Sequence, residues 1–339
     1  MIRYGIIGFG AWGRCYADAI RKLPEVTLIG IAVGNSDTVN NIRTEYPDVT
    51  VVADYHELLR LNDLDVAVVS VPNHLHFRIG FDVLNAGKHS LIEKPLALTV
   101  KDCETLFQTA TEKNLYLAVG HQFRLSSLWG KIKELIDSGR IGEPKYALIE
   151  LSRNPYRTGE DGWRYDKKRV GNWILEEPVH FFDLACWYFE LFGKAVSVYA
   201  TANTCLSTDS ELYDNLSAVV HFSNGSYAVI TQTLAAFEHH QSVKVTGTKG
   251  SLWAAWSGAM DRTRHPEFFL KISDGNNVTE INIEKPAGEL FELEEQIIQM
   301  SRVIRGEAKI HCTGSDGCRA TALSIAAQKS AQTGEEVKL

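Results

Sequence analysis

The chain has 339 residues, of which 45% are hydrophobic and 23% are charged. At about 150 residues per domain, this length predicts two domains, or three at most. A net charge of −7 argues against non-specific nucleic-acid binding and against an anionic membrane surface as partners. No apolar run reaches the ~18 residues that span a bilayer. The six cysteines are scattered without CxxC or zinc-type spacing, so we expect no metal centre and a reducing, cytoplasmic environment.

Up to residue 123, strands are predicted to alternate with helices of about ten residues. The predicted strands cover residues 3–8, 26–33, 49–52, 66–71, 90–92 and 115–119. The predicted helices follow the first strand to residue 23 and then cover residues 36–46, 55–61, 76–86 and 100–113. Such alternation predicts right-handed βαβ units, and hence a doubly wound parallel sheet of the Rossmann type, in a first domain over residues 1–123.

After residue 123 the pattern changes to long alternating or β-branched runs. A helix is predicted over residues 128–138, and strands over 146–151, 195–204, 216–222, 227–234, 241–246 and 268–272. This pattern predicts a second α/β domain over residues 124–339, with an open, mostly antiparallel sheet of five or six strands and helices on one face. Two closing helices, 290–304 and 317–333, leave open whether one of them returns to the first domain.

A glycine motif directly follows the first predicted strand and opens the first predicted helix. It consists of Gly8-Phe9-Gly10-Ala11-Trp12-Gly13. Glycine at these positions allows a tight turn, a close approach of the backbone to a pyrophosphate, and helix–strand packing, while the helix N-terminus attracts negative charge. The order of strand, motif, helix and second strand therefore predicts a dinucleotide site.

The end of the second strand indicates which ribose such a site accepts. An acidic residue there would favour NAD, and an arginine would favour NADP. This chain instead has Asn35 and Ser36, which can hydrogen-bond either form, while Arg14 and Arg43 are either phosphate contacts or solvated helix residues. The cofactor is therefore NAD or NADP.

Two further segments carry groups suited to proton transfer. Glu93-Lys94-Pro95 follows a predicted parallel strand, at the edge where open α/β sheets bind ligands. Far downstream, residues 171–183 lead into a helix in which His180 and Asp183 share a face, so that the carboxylate would orient the imidazole. Taken singly, the first segment also fits a solvated ion pair, and the second a hydrogen-bonded core histidine.

Taken together, the motifs resemble one family over essentially the whole chain. These motifs are the glycine motif, Val71-Pro72-Asn73-x-x-His76, Glu93-Lys94-Pro95, Gly120-His121-Gln122-x-Arg124 and the segment 171–183. Their order and spacing are similar to the glucose–fructose oxidoreductase, inositol dehydrogenase and rhizopine-catabolism (Gfo/Idh/MocA) family. The resemblance implies a nicotinamide cofactor and oxidation or reduction of a sugar, inositol or related polyol. It also implies a homo-oligomer, a dimer or a tetramer, formed through the open sheet.

The resemblance further implies roles for individual residues. Lys94 and His180 would be the catalytic pair, with Glu176 near them, and the Lys94–Pro95 peptide would be cis. The cofactor contacts implied, beyond the glycine motif, Asn35 and Ser36, are Pro72, Asn73, His76, Glu93, Lys94 and Gln122. The sequence departs from the family pattern at Glu176, where aspartate is usual, and at Asn172 and Pro178, where glycine is common. These departures affect the identity of the substrate more than the class of chemistry.

The residue types suit hydride chemistry at an alcohol carbon. His180 would take the hydroxyl proton as hydride leaves, since histidine is an efficient base near neutral pH. Lys94, beside the same oxygen, would stabilise the developing alkoxide. Removing the base should therefore nearly abolish turnover and leave dinucleotide binding in place.

A segment rich in aromatic and cationic residues precedes the His180 helix. Arg153, Trp163 and Arg164 are its best candidates for substrate contacts, together with Lys94, Glu176 and His180. Arginine grips anionic groups with two donors, so the substrate class includes anionic sugars; the alternative is a basic surface loop. His239, His240, Trp253, Trp256 and His265 are interpreted as strand, core or interface residues.

The sequence is compatible with three alternative functions. The first is an NAD(P)-dependent dehydrogenase or reductase of a sugar or polyol. The second is a glycoside-cleaving enzyme of the same fold, which oxidises a ring carbon transiently and regenerates its cofactor. The third is a non-catalytic dinucleotide-binding sensor, which the presence of both Lys94 and His180 disfavours.

Overall fold

The computed structural model describes residues 1–154 and 156–339. The described chain divides into two units. The first unit comprises Met1–His121 and Leu293–Cys318, and the second comprises Gln122–Glu292 and Arg319–Leu339.

The first unit is built on a parallel sheet of six strands. These strands are β1 (Ile2–Ile7), β2 (Val26–Ala32), β3 (Thr50–Val52), β4 (Val66–Val69), β5 (His89–Ile92) and β6 (Leu117–Val119). Their order is β3-β2-β1-β4-β5-β6, and every pairing is parallel. This order reverses at β1 and β4, as in doubly wound dinucleotide-binding folds, and it confirms the predicted Rossmann sheet. All four residues of β4 are buried, because helices cover both faces of such a sheet.

Five helices connect these strands. They are α1 (Ala11–Lys22), α2 (Ser36–Glu45), α3 (Tyr55–Leu59), α4 (His76–Asn85) and α5 (Val100–Glu112). Local side chains fix where several of them begin. Asn35 caps α2, Asp54 caps α3 and Thr99 caps α5, each by accepting a hydrogen bond from a backbone amide in the first turn.

The second unit is built on a sheet of nine strands. These strands are β7 (Pro144–Asn154), β8 (Ala195–Asn203), β9 (Asn215–Phe222), β10 (Tyr227–Thr233), β11 (Glu238–Gly247), β12 (Ser251–Gly258), β13 (Glu267–Ser273), β14 (Val278–Glu280) and β15 (Val337–Lys338). The order is β14-β13-β12-β11-β7-β10-β9-β8-β15, and only the pairing of β7 with β10 is parallel among the described strands.

The mostly antiparallel sheet is confirmed, whereas the predicted five or six strands are wrong. The strands missed are β12, β14 and β15. In β12, Trp253 and Ala255 alternate with the buried Leu252, Ala254 and Trp256, so apolar residues occupy both faces and the two-residue period is lost. The other two strands have three and two residues, too few to produce a pattern.

Helices cover one face of this second sheet. They are α6 (Trp129–Asp137), α7 (Lys167–Val170), α8 (Trp173–Glu176) and α9 (Val179–Phe189). Ten of the eleven residues of α9 are buried, which marks α9 as a core helix rather than an amphipathic surface helix. It packs with inward-facing residues of β7 such as Ala147, Ile149 and Leu151 in one hydrophobic core.

Two long helices follow β14, α10 (Glu289–Ile304) and α11 (Gly314–Thr333), and β15 comes after them. From Leu293 onward, α10 belongs to the first unit, where Ile297 and Met300 join the core around Tyr4. The Tyr4 hydroxyl lies 2.9 Å from the Ser301 hydroxyl. Within the described residues, no helix is both long and apolar enough to span a membrane.

Glu292 is a buried carboxyl group in the first turn of α10. Only 2% of the residue is exposed, and its Oε1 accepts a 3.3 Å hydrogen bond from the Gly288 amide. Burial, assisted by the charge of Glu289, raises the pKa of Glu292 to about 8. The side chain is therefore neutral in the folded protein at pH values where the unfolded chain has ionised it.

Replacing this carboxyl group, Glu292→Gln, should flatten the pH dependence of stability. The pKa rises from 4.5 to about 8 on folding, so the folded state holds more protons between these values and its stability falls as pH rises. We expect the variant to gain at least about 1 kcal/mol over the wild type between pH 5 and pH 8, since one pKa unit is worth about 1.4 kcal/mol. Urea unfolding at pH 5 and pH 8 measures the free energy of unfolding of both proteins. Glu284→Gln, at an exposed position, is the control. The prediction would be contradicted if the free energy of unfolding changed equally with pH in the wild type and in Glu292→Gln.

Candidate active site

The glycine motif forms a tight backbone cradle between β1 and α1. Gly8 has φ +92°, and a Cβ atom there would collide with the backbone of Ser70 and the side chain of Val71. A Cβ atom on Gly13 would collide with the carbonyl oxygen of Gly8. Gly10 precedes α1 without a side chain to cap it, so the first amides of the helix stay available to an anion. This arrangement fits a dinucleotide pyrophosphate.

The other residues of the motif contribute packing and one hydrogen bond. Phe9 is buried edge-on against Tyr46, with ring centroids 5.4 Å apart, and Ala11 is exposed. Trp12 donates its indole N–H to the Glu93 carboxylate at 2.7 Å. The motif is thus tied to the segment that follows β5.

Glu93 is the centre of a buried hydrogen-bond network. Besides the bond from Trp12, its Oε1 accepts a 2.6 Å bond from the hydroxyl of Tyr16, one turn further along α1. Its other oxygen lies 3.2 Å from the backbone amide of Lys94. Burial raises the pKa of Glu93 against the opposing effect of these donors. The network holds the start of the Glu93-Lys94-Pro95 segment against the helix of the glycine motif.

The side chain of His76 contacts two backbone segments of the first unit, one of which contains a cis peptide bond. The Lys94–Pro95 peptide is cis, as the family resemblance implies. The ring nitrogens of His76 lie 2.6 Å from the Pro95 carbonyl and 2.8 Å from the Val71 carbonyl. The side chain of His76 therefore bridges this segment to the turn before Pro72, a role that holds backbone in place.

The remaining predicted cofactor residues lie at several places. Asn73 is buried in a short turn that begins after Pro72. Gln122 is buried in the second unit. Asn35 and Ser36 are exposed at the start of α2, where the Asn35 side chain accepts from the Asp37 amide at 2.9 Å.

His180 lies in the first turn of α9, and 7% of it is exposed. Its ring packs against Phe123 with centroids 4.7 Å apart. Asp183 accepts two hydrogen bonds from the Arg124 guanidinium, at 2.8 and 2.7 Å. The sequence alone does not reveal Arg124 as the partner of Asp183, because 59 residues separate the two. Orientation of His180 by Asp183 remains a prediction.

The predicted substrate residues of the second unit form ion pairs with its own carboxylates. Arg164 Nε donates to Glu176 at 2.9 Å and stacks on Trp163, 4.4 Å from the ring centroid. Burial opposes the charge of Arg164, but the carboxylate of Glu176 keeps its pKa raised. Arg153 contacts Glu177 at 3.2 Å. Each of these arginines thus has a carboxylate partner, and binding of an anionic substituent by them remains a prediction.

Further residues join this cluster that the sequence did not single out. Asp261 is buried and accepts a 2.9 Å bond from Arg153. Tyr156 lies below Arg153, with the guanidinium 5.7 Å from its ring centroid. His239, interpreted from sequence as a strand, core or interface residue, is a buried strand residue opposite Arg153.

Both parts of the chain match models of one family. Residues 2–121 match the Gfo/Idh/MocA oxidoreductase family with an NAD-binding Rossmann fold, and residues 129–253 match the C-terminal domain of that family.

Two relatives and one solved structure resemble the chain over nearly its whole length. The chain is 26% identical to myo-inositol 2-dehydrogenase of Thermotoga maritima, covering 100% of this chain and 98% of that protein. It is 25% identical to 1,5-anhydro-D-fructose reductase of Ensifer adhaerens, covering 100% and 99%. The solved aldose-aldose oxidoreductase of Caulobacter crescentus superposes with a TM-score of 0.86 at 20% identity, covering 100% of this chain and 99% of that one.

Closing the glycine cradle should weaken dinucleotide binding. In Gly8→Ala, the new methyl group meets the Ser70 backbone, so the loop must shift away from the position that a pyrophosphate needs. We expect the NADH dissociation constant, measured by fluorescence titration, to rise at least about tenfold, equal to ~1.4 kcal/mol.

Gly87→Ala is the matched control for this experiment. Gly87 also has a positive φ, +75°, but a Cβ atom there would have nothing within 4 Å. Its replacement carries the backbone strain of a left-handed residue, about 1–2 kcal/mol, without filling the cradle. Equal losses of NADH affinity in the two variants would show that backbone strain alone explains the effect.

Proposed function

This chain belongs to the Gfo/Idh/MocA family of NAD-binding oxidoreductases, and on that premise we propose that it transfers a hydride between nicotinamide and a carbinol carbon of a sugar, inositol or sugar derivative. The nicotinamide ring accepts or supplies the hydride. Lys94 and His180 are the proposed acid–base residues, and Glu176 is the proposed carboxylate of the catalytic set. The names of two relatives, an inositol dehydrogenase and a sugar reductase, support this substrate class.

The observation that carries the proposal is the Glu93 network. Trp12 and Tyr16 of α1 both donate to Glu93, so Lys94 follows a residue anchored to the dinucleotide-binding helix. A cationic amine at that position suits stabilisation of an alkoxide that forms as hydride leaves its carbon.

We propose that His180 accepts the proton of the substrate hydroxyl during oxidation. An imidazole can take this proton during oxidation and return it during reduction, near neutral pH. Its position in the first turn of the buried helix α9, against Phe123, restricts the orientations that the ring can adopt. A fixed orientation is what a general base requires.

We also propose that NAD is preferred over NADP. A 2′-phosphate needs a cation near the end of β2, and both candidate arginines there have other partners. Arg14 contacts both carboxylate oxygens of Glu45 at 2.7 Å. Arg43 donates to the Val51 carbonyl at 2.9 Å. The acidic Asp37 lies in the same first turn of α2, which adds negative charge.

The cofactor preference is tested by binding rather than by turnover. We expect NADH to bind at least about tenfold more tightly than NADPH, ~1.4 kcal/mol, in fluorescence titrations at low salt. Ser36→Arg should narrow or reverse this difference, because it adds a guanidinium at the strand end. Thr38→Arg, one position past Asp37, is the matched control for added charge alone. A wild-type preference for NADPH would refute the assignment.

Removing either proposed acid–base residue should lower turnover sharply, and removing His180 should leave cofactor binding in place. We expect His180→Ala and Lys94→Met to lower kcat by about 10²–10⁴-fold, the usual contribution of general acid–base groups. NADH affinity of His180→Ala should remain within about threefold of the wild type. The exposed residues His221 and Lys101 provide the controls His221→Ala and Lys101→Met.

The assay supplies NAD and NADP separately with hexoses, inositols, sugar acids and glycosides, and follows nicotinamide absorbance. Full activity in either active-site variant contradicts the assignment of that residue. Release of an aglycone from glycosides without net reduction of the nicotinamide would replace the proposed activity with oxidative glycoside cleavage.

We propose, further, that the outer face of the nine-stranded sheet associates with a second copy of the chain. Large side chains are partly exposed there, namely Tyr199, Tyr227 and Trp253, at 45%, 40% and 45%. Exposed aromatic residues on a broad sheet face are typical of interfaces.

A further inference from the structure

Glu93 is a buried carboxyl group on which opposing effects act. Burial raises its pKa, because the charged form loses water. The hydrogen bonds that Tyr16 and Trp12 donate to Oε1, at 2.6 and 2.7 Å, act in the other direction, and so does the charge of Lys94. Burial has the largest effect, so the pKa lies above its usual value of 4.5. A change in the charge beside this group therefore changes how strongly it holds a proton.

The two oxygens of Glu93 are held unequally. Oε1 accepts both side-chain bonds, whereas Oε2, among the described residues, accepts only a 3.2 Å bond from the Lys94 amide. A Cβ atom on Gly120, the residue after β6, would lie 2.8 Å from Oε2. The glycine therefore leaves room beside this oxygen, and the Oε2 side is where Glu93 can take up or release a proton.

The other ionisable groups around Glu93 are few. From α1, Tyr16 faces it, and burial together with the charge of Glu93 holds the pKa of Tyr16 well above its usual value, so the hydroxyl stays neutral. Gln296 of α10, 2.8 Å from that hydroxyl, carries no charge. Lys94 adds a positive charge from the same segment. After β6, the glycine is followed by His121, a buried imidazole, whose titration the variants below separate from that of Glu93.

Glu93 lies on the nicotinamide side of the dinucleotide-binding fold. In such folds the pyrophosphate lies at the glycine motif after the first strand, and the adenosine ribose is recognised at the end of the second. The nicotinamide half therefore lies on the other side of β1, where β4 and β5 end. Glu93 directly follows β5. The ring that binds on this side is positively charged when oxidised and neutral when reduced.

We propose that Glu93 is a redox-linked proton site, whose carboxylate form favours the oxidised cofactor and whose proton is released to the solvent when NAD⁺ binds. The reduced ring has no positive charge, so NADH leaves the carboxyl group protonated. By linkage, the affinity for NAD⁺ rises with pH, because the deprotonated form binds the cation better, while the affinity for NADH changes little. This inference concerns the cofactor and holds for any substrate of the proposed reaction.

Coulomb's law gives the size of the expected effect. At an effective dielectric constant of about 20, two unit charges roughly 12 Å apart interact by the equivalent of one pKa unit, which is about a tenfold change in an equilibrium constant. The ring therefore does not need to touch Glu93. A position anywhere in the same half of the cleft produces a measurable linkage.

Cofactor titrations over a range of pH test the linkage. NADH is titrated by its fluorescence and NAD⁺ by displacement of NADH, at constant ionic strength, from about pH 5.5 to about pH 8.5. We expect the NAD⁺ dissociation constant, divided by that of NADH, to fall at least about fivefold as pH rises across this range. A ratio that is constant with pH overturns the inference, and so does a ratio that rises. Failure to bind either cofactor also overturns it.

Proton counting supplies an independent measurement. Titration calorimetry in two buffers of different ionisation enthalpy gives the number of protons released on binding. We expect NAD⁺ to release a fraction of a proton at the pH where the ratio changes most steeply, and NADH to release none. Equal release by the two cofactors contradicts the proposal. Failure of the proposed function is read separately, as absent nicotinamide reduction with every substrate, since neither binding experiment requires turnover.

Glu93→Gln tests the residue itself. Glutamine keeps the side-chain length and an oxygen that accepts from Trp12 and Tyr16, but it has no proton to release. We expect its dissociation-constant ratio to be independent of pH and its NAD⁺-linked proton release to disappear. Glu112→Gln, at an exposed position at the end of α5, is the matched control and should behave like the wild type. A ratio that still depends on pH in Glu93→Gln assigns the linkage to another group, such as His121, and overturns the role of Glu93.

Tyr16→Phe provides a second variant in case Glu93→Gln does not fold. It removes a donor that stabilises the carboxylate form, so the pKa of Glu93 rises further. We expect the pH at which the ratio changes to move upward, with the linkage retained. An unchanged or lower midpoint contradicts the proposal. A network that only supported the backbone would weaken both cofactors equally at every pH and leave the ratio unaltered.

Discussion

The buried carboxylate of Glu93 is the contact on which the dinucleotide-binding half of the molecule depends. Only 6% of the Glu93 residue is exposed, and a buried carboxylate is stable only if donors replace the water it has lost. Trp12 and Tyr16 provide them from one face of α1. The helix that begins in the glycine motif and the turn that carries Lys94 are thereby joined by charge-assisted hydrogen bonds, which are stronger than neutral ones.

The same tyrosine extends the network to α10. Its hydroxyl lies 2.8 Å from Oε1 of Gln296 as well as 2.6 Å from Glu93. A hydroxyl has one proton, and donation to the carboxylate is the stronger bond. Rotating the Gln296 amide by 180° satisfies both bonds, because its nitrogen, which otherwise has no partner among the described residues, then donates to the Tyr16 hydroxyl oxygen. Glu93, Tyr16 and Gln296 then form a single chain of donors and acceptors.

Much of the fold could be predicted because its signals are local. The glycine motif, the β-branched run of β4 and the capping residues of α2 and α5 each lie within a few positions of what they determine. The catalytic candidates Lys94 and His180 were identified from short motifs in the same way. In contrast, Tyr16 was missed because its partner Glu93 is 77 residues away, and a tyrosine in a helix has no distinguishing pattern.

The polar cluster of the second unit was hidden for the same reason. Arg153 and Asp261 are 108 residues apart, and His239 faces Arg153 only because β11 pairs with β7. From sequence, the arginines suggested a grip on an anion. The structure shows a carboxylate partner for each arginine, Glu176 for Arg164 and the distant Asp261 for Arg153.

The first unit consists of two separate stretches of the chain, Met1–His121 and Leu293–Cys318. It cannot be completed during synthesis until the second stretch has been made. Its core around Tyr4 takes Leu293, Ile297 and Met300 from α10, so a ribosome releases the six-stranded sheet long before it releases the helix that covers it. The part of the sheet that α10 covers therefore remains uncovered by it while some 170 residues of the second unit, Gln122–Glu292, are synthesised. Fragments that stop before α10 lack the side chains that cover this surface, and exposed hydrophobic surface favours aggregation.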